Sequence, residues 1–436
     1  MKKTIVMLGV GSTYFTKGIV ESLIRKGGEW DIRLVDIDQT CLDIATKLSE
    51  RIVEKYNAPV KITASTERRD VLQGADAVVS TIGVGGRKAW EKDVFMFHED
   101  NIYQSTGDTY GAGGVSRALR TIPVLIEVAK DMEKLCPNAL LVNFTNPMTV
   151  NCWALHKTSS IKTVGLCYGV TWYQHFLARL IDVPLQETWS KAVGVNHFTW
   201  ITDFLYQGQD AWPLVREAIE QKTDEKMKQR HTWELFDTFN AFPCVGDGHI
   251  CEFIPGFQGK GQYYGKTFGV DAAHNFEKYA RSWDDVFSDM ADQAYGRKPL
   301  ELVSDNKEGE VFRDEDLFID VLSAAMGGES VERTINLPNS GQVPGLPEGA
   351  VIESTTLVNG AGFHPLAYPQ IPNGIKAIML RIFGAQELTI DAAIKGDRQL
   401  VVQSLMADLT AIRKADAEKL TEKILKEHRA YLPQFY

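Results

Sequence analysis

The amino-acid sequence predicts an α/β protein: a doubly wound parallel sheet, followed by a second domain of α+β character. Three observations predict it. Short, continuously apolar runs alternate with runs of helical spacing through the first 190 residues. A Gly-x-Gly turn joins the first apolar run to the first helical one. Acidic residues close the second apolar run. Continuous apolar runs mark strands buried on both faces, and strands alternating with helices imply parallel pairing.

Taken in order, KTIVMLGV (3–10) is the first strand, and STYFTKGIVESLIRKG (12–27) is a helix with Ser12 or Thr13 near its cap. DIRLVDID (31–38) is the second strand, and CLDIATKLSERIVEKY (41–56) has helical spacing. VKITAST, ADAVVSTIG, ALLVNFTNP and KTVGLCYG supply four more strands, with a long helix, SRALRTIPVLIEVAKDMEKLC, between two of them. Beyond about residue 190 the alternation loosens into aromatic-rich stretches and Gly/Pro turns (IPGFQGKGQYYGK, LPNSGQVPGLPEG). It ends in helices over 373–396 and 398–428. The expected division is residues 1–190 as a nucleotide-binding domain and 191–436 as an α+β substrate domain.

Composition narrows the function classes. The 436 residues carry a net charge of −10 with no Lys/Arg block, which removes the electrostatic basis for nucleic-acid binding. No run of 18 apolar residues could span a membrane and no signal peptide is visible, so a cytoplasmic protein without a membrane partner is expected. The six cysteines are scattered and are expected to be reduced thiols.

Gly9, Gly11 and Ser12 lie where the first strand turns into the first helix. Glycines there let the backbone pass close to a pyrophosphate seated on the helix N-terminus. Asp36, at the end of the second strand, would accept hydrogen bonds from ribose hydroxyls and repel a 2′-phosphate, which favours NAD over NADP. Gly83, in the strand end IGVGG, is expected near the nicotinamide. The alternative is a tight βα turn with no nucleotide. With a nucleotide, the fold is Rossmann-like, as in lactate and malate dehydrogenases.

Ligand sites of such sheets lie at the carboxyl ends of the strands. Asn143 and Asn146 (NFTNPM), Cys167 (GLCYG), and Asn196 and His197 (GVNHFTW) were placed there by their position after apolar runs. Cys167 and His197 suit a divalent transition metal, or else are a core thiol and a hydrogen-bonded histidine. YQSTGDTYGAGG (103–114) puts Asp108 in a polar, glycine-rich loop. VGDGHICEFIPG (245–256) puts Asp247, His249 and Glu252 within six residues, the last two on one face of any helical turn. Their alternative is solvated surface turns.

These runs together resemble glycoside hydrolase family 4, the NAD- and divalent-metal-dependent glycosidases. GVGST is similar to that family's nucleotide turn. YQSTGDTYGAGG resembles its acidic active-site loop, and NFTNPM its Asn-x-x-Asn-Pro. GVNHFTW resembles its Asn-His-x-x-Trp, and LPNSGQVPGLP a segment of its C-terminal domain. The resemblance implies oxidation at carbon 3 of the sugar by NAD, metal-assisted loss of the carbon 2 proton, elimination, water addition and return of the hydride. This is an exception to the two-carboxylate pattern of most glycosidases.

It further implies Cys167 and His197 as ligands of Mn²⁺ or another divalent metal, and Asn146 as the holder of sugar hydroxyls near it. Asp108 becomes the candidate acid and Asp247 the candidate base, some branches using a tyrosine in this region. Asn196, His249 and Glu252 would line the pocket. Tyr168 follows the cysteine where the family carries a substrate-sorting residue. Its phenol, with a reference pKa near ~10, points away from the phospho-α-glucosidases that carry Asp there.

The closest likeness is to the α-galacturonidase and α-galactosidase branches, so the expected substrate is an unphosphorylated α-linked hexuronide or hexoside. Such a carboxylate needs a cation. Arg87, Lys88, Arg117 and Arg120 are candidates, with Arg87 favoured because it follows the glycine-rich strand end. A 6-phospho-glycosidase, a lactate/malate-type dehydrogenase and a non-catalytic NAD sensor are the alternatives. The apolar faces of the C-terminal helices suggest a homodimer or homotetramer.

Overall fold

The computed structural model describes residues 2–12, 15–254, 257, 284–302 and 314–436. Thr13 and most of the IPGFQGKGQYYGK stretch lie outside the described residues. One sheet of 13 strands runs through the molecule. Its first half is β1 (Lys3–Leu8), β2 (Trp30–Val35), β3 (Val60–Ser65), β4 (Ala77–Ser80), β5 (Leu140–Asn143) and β6 (Thr163–Gly165). Every pair in this half is parallel, and the order is β3-β2-β1-β4-β5-β6, the doubly wound arrangement expected from sequence. The inner strands are almost wholly buried, as their continuous apolar runs require, whereas edge strand β3 is half-exposed and mixed in polarity.

Seven helices belong to this half: α1 (Thr16–Lys26), α2 (Gln39–Tyr56), α3 (Arg69–Leu72), α4 (Gly86–Phe95), α5 (Gly111–Leu135), α6 (Met148–Thr158) and α7 (Gly169–Leu180). Two differ from expectation. The first helix begins at Thr16, after Phe15, with no side-chain cap, so Ser12 does not cap it. The long helix begins at Gly111, five residues before the predicted start, because its glycines pack against loop backbone where a side chain would collide.

The second half continues the same sheet. β11 (Val331–Pro338) pairs antiparallel with β6 through Asn336 and Gly165. β12 (Val351–Asn359), β7 (Thr188–Val195), β8 (Phe198–Tyr206) and β10 (Phe242–Cys244) extend it, with the short β9 (Gln209–Asp210) on β8 and β13 (Gly362–Pro365) on β12. All these pairings are antiparallel. Helices α1, α2 and Asp314–Ala325 share one apolar core with the parallel strands. Helices α5, α6 and Asn373–Lys395 share another with the β7–β8 hairpin.

The predicted continuous helical stretch over 398–428 is broken into Arg398–Ala407 and Lys414–Glu427. Between them Leu409 takes φ +68°, and the Asp408 carboxylate accepts the Thr410 N–H at 2.7 Å. A local side-chain bond thus replaces the helical ladder. No helix among the described residues is long and apolar enough to cross a membrane.

Candidate active site

At the end of β1, Gly9 has φ +87° and Gly11 donates its N–H to Asp36 Oδ2 at 2.7 Å. A Cβ at Gly11 would stand 2.9 Å from Cys41 Cβ and 3.0 Å from that carboxylate oxygen, so no side chain fits. Ser12 N–H closes the turn on the Gly9 carbonyl at 3.1 Å. Asp36 Oδ1 accepts the Asp38 N–H at 3.0 Å, and each Asp36 oxygen keeps a second acceptor position. Asp38 itself caps α2 through Cys41 N–H. Gly83 is exposed, and a Cβ there would meet nothing within 4 Å, so this strand end borders open space. The tight turn, the half-buried acid and the open strand end suit a dinucleotide.

The second cluster forms around a hairpin turn. GVNHFTW is not the carboxyl end of a parallel strand: Asn196 and His197 are the two-residue turn between antiparallel β7 and β8. His197 sits at φ +67°, an uncommon backbone for a residue with a side chain. Two neighbours hold Asn196 in the turn. Asn196 N–H donates to Thr149 Oγ1 at 3.2 Å, and Asn196 Nδ2 donates to Glu353 Oε1 at 3.1 Å. Glu353 also accepts Asn336 Nδ2 at 2.8 Å and the Thr199 hydroxyl. It is 1% exposed, and burial pushes its pKa above the usual carboxylate range, opposed by these donors.

One nitrogen or oxygen from each of Asp108, His197 and His249 lies within 4.8 Å of those of the other two. The partners fix the His197 tautomer. The Thr109 hydroxyl donates its one proton to Asp108 Oδ1 at 2.6 Å, and Thr109 Oγ1 lies 2.7 Å from His197 Nδ1. Nδ1 must therefore carry the proton, which leaves the Nε2 lone pair available. Burial, aided by His249, lowers the His197 pKa to about 3, so the ring is neutral. Burial also lowers His249, against the pull of Asp108. The two rings are 4.1 Å apart between centroids, and His249 Nδ1 faces Asp108 Oδ1 at 3.9 Å. Burial would raise Asp108, but the His249 and His197 rings, Arg117 and the Thr109 hydroxyl outweigh it and hold the carboxyl below the usual range.

Asn146, which precedes a cis peptide bond to Pro147, donates Nδ2 to Asp108 Oδ2 at 3.1 Å. Its Oδ1 is buried without a hydrogen-bond partner among the described residues. Asn143 is wholly buried and closes on Thr145, a structural use. Neutral imidazoles, a carboxylate and an unsatisfied amide oxygen form a donor set suited to a first-row divalent cation.

The other expected residues fall in different places. Cys167 is outside that trio. It is half-buried at the end of β6, with Sγ 3.4 Å from the Gly169 N–H. Gly169 allows this approach: a Cβ there would sit 1.8 Å from Val245 Cγ1, so the loop leading to His249 packs directly beside the cysteine. Tyr168 is the half-buried N-cap residue of α7.

Asp247, the expected base, is tied to a neighbouring helix. Oδ1 accepts Thr232 N–H at 2.7 Å and Thr232 Oγ1 at 2.6 Å, and Oδ2 accepts His231 N–H at 3.0 Å. Both oxygens are committed to the first turn of helix Arg230–Phe239. Glu252 is tied to the loop before α5. Its Oε1 accepts Thr106 and Gly107 N–H, each at 2.7 Å, which fixes the loop carrying Asp108. Burial, with Asp108 adding, raises its pKa to about 8.

Arg87 is exposed and ion-paired with Asp284, and Lys88 is exposed on the first turn of α4. Arg120 is buried against Asp93, bidentate at 2.8 and 2.7 Å. Thr109 and Glu353 had not been singled out. An ionisable residue inside the β-branched run VIESTTLV is the one signal that could have pointed to Glu353.

The profile described as "Family 4 glycosyl hydrolase" matches residues 4–183, and that of the "Family 4 glycosyl hydrolase C-terminal domain" matches residues 192–411. Among curated relatives, an alpha-galacturonidase of Thermoanaerobacterium saccharolyticum is 29% identical, covering 98% of this chain and 96% of its own length. An alpha-galactosidase of Bacillus subtilis is 27% identical, covering 99% and 100%. Among solved structures, a 6-phospho-alpha-glucosidase from gut microorganisms, in complex with NAD and Mn²⁺, superposes with a TM-score of 0.84 at 18% identity, covering both chains fully (100% each).

Proposed function

The chain belongs to family 4 of the glycosyl hydrolases, and on that premise we propose that it hydrolyses an unphosphorylated α-linked hexuronide or hexoside, an α-galacturonide first, with NAD and Mn²⁺ as cofactors. The observation that carries the reading is the trio of Asp108, His197 and His249 beside Asn146, in a chain that also carries the Gly9–Gly11–Asp36 turn. Relatives named for galacturonides and galactosides support the substrate class.

In this reading Gly9, Gly11, Ser12, Asp36 and Gly83 hold the dinucleotide. His197, Asp108 and His249 hold the metal, with Cys167 approaching from the end of β6. When bound, the nicotinamide supplies a reversible hydride acceptor for carbon 3 of the sugar, and the cation supplies Lewis acidity at the neighbouring oxygens.

The chain's own groups do the rest. The Thr109 hydroxyl keeps the His197 proton on Nδ1 and so keeps Nε2 aimed as a lone pair. Asn146 orients Asp108 through Nδ2 and offers Oδ1 to a sugar hydroxyl. Asp108, held ionised, is suited to accept a proton or face a cation, whereas the donor role expected for it would require a raised pKa. Glu252 fixes the 106–107 backbone and Asp247 the neighbouring helix, so both position the site.

The test is hydrolysis of chromogenic α-galacturonide, α-galactoside and 6-phospho-α-glucoside, with and without Mn²⁺ and NAD, in D₂O. The expected result is cleavage of the uronide that needs both cofactors, consumes no NAD, and leaves deuterium on carbon 2 of the product. Full activity after chelation and removal of NAD would overturn the mechanism. Cleavage confined to the phosphorylated substrate would overturn the substrate class, and net NADH formation would point to a dehydrogenase.

A further inference from the structure

We propose that Arg117 is the specificity-determining cation of this site, reading a carboxylate carried by the sugar ring. The proposal rests on the glycosidase reading above and names the group by which a hexuronide would be told from a neutral hexoside.

Three other arginines are already engaged. Arg87 is exposed and tied to Asp284. Arg120 is 1% exposed and spends both terminal nitrogens on Asp93. Arg381 donates to Tyr110 Oη, the Asp408 carbonyl and the Phe253 carbonyl. Each of these guanidinium groups already has its acceptors.

Arg117 is different. It lies on the second turn of α5, half-buried, and its Nε donates to the Asn146 carbonyl at 3.2 Å. Among the described residues that is the one hydrogen bond of its side chain, and it forms no ion pair. Its two terminal nitrogens therefore remain available while the stem is fixed. Arg117 is linked to Asp108 through the single residue Asn146, so its charge belongs to the same crevice.

A guanidinium anchored through Nε presents its terminal N–H groups as a planar fork, the geometry that binds a carboxylate through two parallel hydrogen bonds. Asn146 is shared: its carbonyl anchors Arg117 while its side-chain amide anchors Asp108. The carboxylate reader is thus fixed, through one residue, relative to the group beside the reacting carbons. A neutral sugar would leave the fork facing water. A uronate would satisfy it and be screened from the negative Asp108.

The experiment compares wild type, Arg117→Met and Arg117→Lys, each saturated with NAD and Mn²⁺, on chromogenic α-galacturonide and α-galactoside. The readout is the ratio of kcat/KM for the two substrates. Titration calorimetry with free galacturonate and galactose gives the corresponding ratio of affinities without turnover, and thermal melts check folding. The expected result is a fall in the uronide-to-galactoside ratio on the order of 100-fold in Arg117→Met, with Arg117→Lys recovering only part of it because an ammonium cannot form the fork. An equal loss on both substrates would overturn the proposal and assign Arg117 to general positioning. A wild-type enzyme that cleaves the galactoside but not the uronide would overturn the substrate reading itself, and the carboxylate assignment with it.

Discussion

The parallel and antiparallel halves of this sheet deliver functional groups by different physical routes. In the parallel half the groups sit on short turns that directly follow strands, and backbone pairing fixes them. Gly9, Gly11 and Asp36 end adjacent strands β1 and β2, whose register runs unbroken from Lys3↔Trp30 to Leu8↔Val35. At the Asp108–His197–His249 cluster, which draws on both halves, no single segment makes the site. His197 stands on a hairpin turn, His249 on a four-residue helix after β10, and Asp108 in the loop before α5. Side-chain bonds hold them together: Thr109 to His197, Asn146 to Asp108, Glu353 to Asn196 and Glu252 to the loop backbone. The first kind of site tolerates distant change, and the second depends on every bond that orients it.

Substitutions at four positions test that difference, beyond the experiments already given. The largest effect is expected at the assembled cluster. His197→Ala removes one imidazole lone pair from the cluster, and should cost on the order of 10³-fold in turnover at fixed Mn²⁺. Cys167→Ser, outside the trio, is the internal comparison. If the serine variant lost as much as His197→Ala and required more Mn²⁺, the sulfur would join the ligand set. If His197→Ala kept wild-type activity and Mn²⁺ dependence, the cluster would not be the metal site.

A smaller effect is expected at the nucleotide turn. Asp36→Asn keeps an acceptor for Gly11 N–H but loses the charge that binds ribose hydroxyls. It should weaken NAD about 10-fold, the scale of one hydrogen bond to a charged group, and narrow the discrimination against NADP. Unchanged selectivity between the two dinucleotides in a binding titration would remove Asp36 from the cofactor site.

The smallest effect on chemistry is expected at Asp247. Asp247→Ala strips the acceptor from two N–H groups and one hydroxyl at the start of helix Arg230–Phe239, a loss of about 1–2 kcal/mol read as a lower Tm. Asp247→Asn, which retains one acceptor oxygen, should regain part of the Tm while leaving kcat close to wild type. A hundredfold fall in kcat for the asparagine variant at near-native Tm would restore Asp247 as a base.

The legible parts of the molecule were those governed by local rules. The apolar runs of β1, β2, β4 and β5 announced buried strands. The sequence Gly-x-Gly followed by Asp36 marked a tight turn that the structure closes on Asp36, because that requirement is confined to one βα connection and the next strand. Asp108, Asn146, His197 and His249 were each identified as site residues, and they do converge. What each one does was less legible.

Asp247 is an acid in a glycine-rich turn whatever its partner is, and only the approach of Thr232 and His231 makes it a cap. In one dimension Arg87, after the glycine-rich strand end, is favoured over Arg117. Asp284, nearly 200 positions away, occupies the first and leaves the second. The helical pattern over 398–428 was correct for both of its parts. It missed the break because a single Asp408 side chain competing for Thr410 N–H leaves the apolar spacing almost undisturbed.

By itself, then, the amino-acid order determined the layer architecture, the nucleotide turn and the inventory of reactive side chains, since periodicity and glycine placement act over neighbouring residues. Tertiary structure alone decided that Thr109 sets the His197 tautomer, that Glu353 underlies the hairpin, and that Arg117 rather than Arg87 keeps its charge unspent. The physical reason is range. Hydrogen bonds and ion pairs act over a few ångströms in space, and which groups come that close depends on how separate segments pack.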